Sequence, residues 1–126
     1  MKIKIHPGVA KDVAKIFIET TKHLNKVSPL PKEVQLHCTA TYTVGVKDST
    51  GFGFGVFSFD DSRVIIGIAG KYCRKMNLEN GVSRAAWLEE LPSIIAHEWV
   101  HMEQWRDGKP INHKGIDKRG SNLLKR

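Results

Sequence analysis

Pro92-Ser93-Ile94-Ile95-Ala96-His97-Glu98-Trp99-Val100-His101-Met102-Glu103-Gln104-Trp105-Arg106 is the stretch that decides how this chain is read. It opens on a proline, whose fixed φ and missing N–H suit the first turn of a helix. Asp107-Gly108-Lys109-Pro110 follows it and carries the signals that stop one. A helix is therefore expected over residues 92–106, preceded by a short one capped by Ser83 and running to Glu90. On a helix, positions i and i+4 share a face one turn apart, so His97 and His101 point the same way.

Two imidazoles at that spacing can bind one Zn2+ at roughly 2.0–2.1 Å. Glu98 is rotated about 100° from His97. It is displaced too far to be an equal ligand but can reach a water on the metal, which is the place of a general base. The expected chemistry is hydrolysis: Glu98 takes a proton as water attacks a polarised carbonyl, then gives it to the leaving amine. The bland alternative is two surface histidines on an amphipathic helix.

A catalytic zinc site usually has three protein ligands and one open position. Glu103 is two residues past His101, on the wrong side of the same helix, and no glutamate follows it. Asp107 has a spacing that works where the chain turns at a glycine three residues after the second histidine, but that residue here is Gln104. His113 lies beyond Gly108-Lys109-Pro110, so the chain can fold back there, and it is the expected third ligand. His6, His23 and His37 have no ligand spacing and read as structural or exposed. Trp87, Trp99 and Trp105 read as core. Tyr42 and Tyr72 are candidate oxyanion donors that nothing in the sequence places near the metal.

Working outward, residues after Pro7 read as a helix, with Val9, Val13, Ile16, Phe17, Thr20 and Leu24 at helical spacing and Ser28-Pro29-Leu30-Pro31 ending it. Alternation over residues 34–46 predicts a half-buried strand. Residues 52–59, interrupted by Gly53 and Gly55, read as a second strand, and residues 64–69 as a third. Residues 47–51 and 60–62 have turn chemistry, and such short connections favour antiparallel neighbours. Residues 71–82 look irregular, with a turn at Asn80-Gly81. The whole is an α+β chain: an N-terminal helix, a small mainly antiparallel-edged sheet of at least three strands, then the helix bearing the histidines.

The 126 residues, 40% apolar and 26% charged, suit one soluble domain over residues 1–126. Cys38 and Cys73 form no CxxC pair, which excludes a four-cysteine zinc ribbon, and they read as buried free thiols. Neither a signal-peptide-like apolar run nor a stretch near the roughly 20 apolar residues of a membrane span is present. The expected location is the cytoplasm, that of a host cell if the gene is carried by a phage or mobile element. Net charge is +7, and residues 106–126 hold seven Lys or Arg against two Asp. That basic segment has two readings, a surface that attracts DNA or an acidic protein, and a solvated face.

With His97-Glu98-x-x-His101 on a helix and His113 before Gly115, the chain resembles the zincins, and most of all the SprT-like group of zinc metallopeptidases. The resemblance implies a zincin-like core, one zinc held by His97, His101 and His113, Glu98 as catalytic base, and a protein or peptide substrate. Some members of that family cleave proteins crosslinked to DNA. Two departures stand out: His113-Lys114-Gly115-Ile116 replaces the family's frequent His-Gly-aromatic, and the cysteine-rich ribbon of some members is missing. In a zincin one strand offers its edge to a bound peptide. Residues 64–69 are the expected edge, with residues 52–59 the rival. The alternative to a peptidase is a non-catalytic or latent zinc-binding module serving as a nucleic-acid or protein adaptor.

Overall fold

A computed structural model describes residues 1–45, 52–59, 63–72 and 81–126. Among these, the strands are β1 (Lys2–Ile5), β2 (Val34–Thr39), β3 (Val44–Gly45), β4 (Phe52–Gly53), β5 (Gly55–Phe59) and β6 (Val64–Ala69). The helices are α1 (Lys11–Val27), α2 (Arg84–Arg106) and α3 (Ile116–Lys125). The expected turns at residues 47–51 and 60–62, Asn80 and Cys73 all lie outside the described residues.

The class is α+β, built on a four-stranded mixed sheet in the order β1-β2-β6-β5, with β3 and β4 pairing separately. The strands on either side of the two expected turns are antiparallel neighbours, β3 with β4 and β5 with β6. The four-stranded sheet is nevertheless not mainly antiparallel, because β1 pairs with β2, and β2 with β6, in parallel. A parallel pair needs a long crossover. Here α1 supplies the first, and the chain that includes β3, β4 and β5 supplies the second. β1 adds to the expected strands: Lys and Ile alternate there as in a half-buried strand, but over only four residues. Residues 34–46 are not one strand: β2 stops at Thr39, and the chain bends before β3. Residues 52–59 likewise divide at Phe54.

Register explains the core. Ile3, Leu36, Ile66 and Phe57 form one row across the sheet, and Ile5, Cys38, Ile68 and Gly55 the next. Leu36, Cys38, Ile66 and Ile68 are buried against Val13, Phe17 and Leu24 of α1 and Leu91, Ile95, Trp99 and Met102 of α2. Cys38 is a buried free thiol, pushed up to about 11 by burial, and so is chemically quiet.

The two helices expected over residues 83–106 are one. Ser83 does cap it, accepting the Ala86 N–H at 3.1 Å. Pro92, however, sits inside α2, not at the start of a new helix. Leu91, Ile95 and Trp99 bury the face on either side of it, and this packing outweighs the one backbone bond the proline removes. The C-terminus ends where expected. Gly108 takes φ 69°, its N–H reaches Trp105 O, and the Lys109 N–H reaches Gln104 O, the paired bonds of a Schellman close.

The basic C-terminal segment folds. Ile116, Gly120 and Leu123 are buried at i, i+4 and i+7 spacing, so α3 lays an apolar face on the core. Gly120 packs against Ala96 of α2, where an added Cβ would lie 3.4 Å from the Ala96 Cβ. The three helices meet at Glu103. Its carboxylate accepts from Arg119 Nε and Nη2 at 3.1 and 3.0 Å and from the hydroxyl of Ser28, the residue that ends α1. Trp99 Nε1 donates to the Ser28 carbonyl at 2.9 Å.

Burial pulls the Glu103 carboxyl up, but hydrogen bonds from Arg119 and Ser28, with the charges of Arg119 and Arg106, more than offset it and hold it below the ordinary 4.5. A carboxyl lower in the folded than the unfolded state contributes stability above the unfolded value, and loses it as pH falls through the folded one. Glu103→Gln is therefore expected to lower Tm at neutral pH and to flatten the decline of Tm on acidification below 4.5. Thermal melts of both proteins along a pH series check this, and parallel acid limbs would refute it.

Candidate metal centre and its cleft

His97, Glu98 and His101 lie together on α2 because the helix is continuous there. His113 arrives from the connection between α2 and α3, after the Gly108 turn. The ring centroids of His97 and His101 are 5.0 Å apart, those of His97 and His113 5.7 Å, and those of His101 and His113 4.8 Å. One ligand atom from each ring lies within 4.8 Å of the others, a group that could hold a metal ion. Three nitrogens around a tetrahedral zinc stand about 3.4 Å apart, from bonds of about 2.05 Å, so modest ring rotation would close the set.

The outer hydrogen bonds favour this use. Asp117, at the start of α3, accepts from His97 Nδ1 at 3.2 Å. A carboxylate only accepts, so Nδ1 carries a proton, and in the neutral ring Nε2 keeps its lone pair for a ligand. Gln104 Oε1 stands 3.0 Å from His101 Nδ1. His101 is 5% exposed, and its burial lowers the imidazole pKa, which keeps the ring neutral as a ligand must be. Neither Asp117 nor Gln104 is marked in the sequence as a partner of the ligand rings. For Gln104 the i+3 spacing from His101 was available, but Asp117 reaches His97 only through the packing of α3 on α2.

Glu98 is 7% exposed and turned toward the sheet. Burial is the main influence on its carboxyl and pushes it up to about 7, with the charge of His97 and the Phe57 backbone pulling the other way. The helix can come this close because β5 begins on a glycine, since a Cβ on Gly55 would stand 2.9 Å from Glu98 Cγ. Beside it opens a cleft of about 570 Å³ lined by Phe54, Gly55, Ile94, His97, Glu98 and Asp117, with Glu90 and Ser93.

The other candidates fall elsewhere. Asp107 is exposed and ion-paired to Arg106 at 3.0 Å, outside the histidine group. Glu103 faces Arg119, on the opposite side from the site as expected. His6 and His37 contact each other at 3.3 Å, and His23 lies 3.1 Å from the Leu123 carbonyl. Tyr72 donates to the Val82 carbonyl, and Tyr42 lies under Lys71, so neither lines the cleft. Trp87 and Trp99 are core, whereas Trp105 is half-buried and packs on Phe57 and Phe59. The edge assignment reverses: β6 is paired on both sides, so it offers no edge, and β5 is the outer strand beside Glu98. No helix among the described residues is long and apolar enough to cross a membrane.

Searches against protein-family models, curated proteins and solved structures found no match.

Proposed function

We propose that the chain is a zinc-dependent metallopeptidase of zincin type, most similar to the SprT-like group, with His97, His101 and His113 as metal ligands and Glu98 as general base. The observation that carries this reading is one of placement. Three imidazoles converge, and a buried carboxylate beside them faces an open cleft under an edge strand. Neutral nitrogen donors suit zinc, and three protein ligands leave a position for water or substrate. Bound there, zinc would polarise a substrate carbonyl and bring a water's pKa toward neutrality.

The chain's own residues supply the remainder. Glu98 accepts the proton of the attacking water and passes it to the leaving amine, roles that fit a buried carboxylate next to His97 and open to the cleft. β5 offers a peptide its outer edge, and main-chain bonding there lays the scissile bond across Glu98. Asp117 and Gln104 hold the ligand rings.

A non-catalytic adaptor would call for a closed, four-ligand site. Among the described residues the group contains three ligands, and the cleft reaches His97 and Glu98 directly. DNA contact, by a peptidase or by such an adaptor, would run through Lys109, Lys114, Lys118 and Lys125, which are exposed, whereas Arg106 and Arg119 are committed to ion pairs.

The test is metal analysis joined to an assay. Purified protein is expected to hold about one zinc per chain and to cleave an unfolded protein. A chelator should stop cleavage, and added zinc should restore it. A chain that takes up no zinc, or cleaves equally well without it, sinks the proposal.

A further inference from the structure

Gln104 lies on α2 three residues beyond His101, with its side-chain amide between two partners. The Asn112 N–H donates to Gln104 Oε1 at 3.3 Å, and Gln104 Nε2 donates to the Asn112 carbonyl at 3.2 Å. A backbone N–H can only donate and a carbonyl can only accept. Asn112 therefore fixes which end of the amide is oxygen, because the flipped amide would face donor with donor and acceptor with acceptor. With Oε1 so placed, its 3.0 Å contact with His101 Nδ1 has one solution. Nδ1 carries the proton and Nε2 carries the lone pair.

We infer that Gln104 is a positioning residue that couples two ligands of the proposed metal site: it sets the tautomer of His101 and, through Asn112, anchors the segment that carries His113. The inference rests on the metal-site reading given above. His113 needs such an anchor because it is exposed, on the connection between Arg106 and Ile116. Among the described residues, the hydrogen bonds that tie residues 111–113 to a helix are the two from Gln104. A third ligand on an untethered loop would be ordered only when metal arrives, and that ordering would weaken binding. One amide thus links the buried ligand to the exposed one, and the tautomer that frees His101 Nε2 is enforced by the same contact that holds the loop.

Two substitutions separate the roles. Gln104→Met keeps the bulk and removes the amide. Gln104→Glu keeps an acceptor for His101 Nδ1 and the Asn112 N–H but cannot donate to the Asn112 carbonyl. Zinc affinity is read by competition with a chelator. His101 ring-nitrogen chemical shifts and Asn112 amide exchange are read on metal-free protein. Gln104→Met is expected to weaken zinc binding about 10–100-fold, to mix the His101 tautomers and to speed Asn112 exchange. Gln104→Glu is expected to keep the Nδ1–H tautomer and to speed Asn112 exchange less than Gln104→Met does, since it loses only the bond to the Asn112 carbonyl. Unchanged tautomer and exchange in both variants, or zinc affinity equal to the parent's in Gln104→Met, would overturn the inference. If the parent chain binds no zinc, the metal-site reading fails on its own, and the metal-free spectra still decide whether Gln104 couples His101 to Asn112.

Discussion

Glu98→Gln is expected to leave zinc bound while peptide cleavage falls by about 10²–10⁴-fold, the usual contribution of a positioned acid–base group. The substitution is close to isosteric and adds no volume beside Gly55, which Glu98 approaches closely. The metal ligands are His97, His101 and His113 in the proposed mechanism, so the metal should stay. What disappears is the ability to take up a proton. A second effect runs the opposite way. Burial raises the Glu98 carboxyl to about 7 in the metal-free chain, above the ordinary 4.5. For an acid raised on folding, the folded state is penalised as pH climbs from the unfolded value to the folded one, and the penalty persists above that. Metal-free Glu98→Gln should therefore melt higher than the parent at pH above about 7, and the two melting curves should converge below 4.5. Loss of rate with a gain in stability is the mark of a functional group held at a cost. Undiminished cleavage in the variant would remove Glu98 from the mechanism, and a lower Tm would show that its burial is structural.

The features legible in the sequence are those set by local spacing. The i, i+4 placement of His97 and His101 needs only that the segment be helical, and Gly108 with Pro110 marks where it ends. The period of residues 13–24 gives α1 for the same reason. His113 was legible as a residue that the chain could return to the site, and the structure places it there. Features fixed by distant partners were not legible. The alternation of Lys2–Ile5 does not show that β2 lies alongside, and parallel pairing of β2 with β6 depends on a crossover that alternation along one strand cannot reveal. Pro92 predicts a boundary because proline disfavours helix interiors locally, and the energy that overrides it comes from the core around Leu91 and Ile95. α3 was hidden by its charge, as its apolar stripe is only Ile116, Gly120 and Leu123. Because α3 was missed, so was Asp117, and with it the partner that sets the His97 tautomer.

Gly55→Ala is expected to lower kcat/KM by about 10²-fold with zinc content unchanged, the scale of loss when a reacting group moves by about 1 Å. The reason is space, as the added Cβ would sit 2.9 Å from Glu98 Cγ, 3.1 Å from Ile94 Cγ2 and 3.2 Å from Glu98 Oε1. Carbon atoms in good contact stand about 3.5–4.0 Å apart, so something must yield by several tenths of an ångström. Ile94 and Glu98 are held by the same helix, whose next turns bury Trp99 and Met102 completely. The helix is therefore the stiffer partner. Either the Glu98 carboxylate swings away from the ligand rings, or β5 lifts off the helix and carries its peptide-binding edge with it. The first outcome lowers kcat and the second raises KM, so the two parameters separate the causes. Gly67→Ala is the control. It is one strand inward on β6, paired with Val56 of β5, and its added Cβ would meet Val56 Cγ1 at 3.2 Å without reaching Glu98. A loss shared equally by both variants would mean that the sheet as a whole is disturbed. A loss confined to Gly55→Ala assigns to this glycine the close approach that brings the edge strand and the base to the same side of the histidines, and full activity in that variant would deny it.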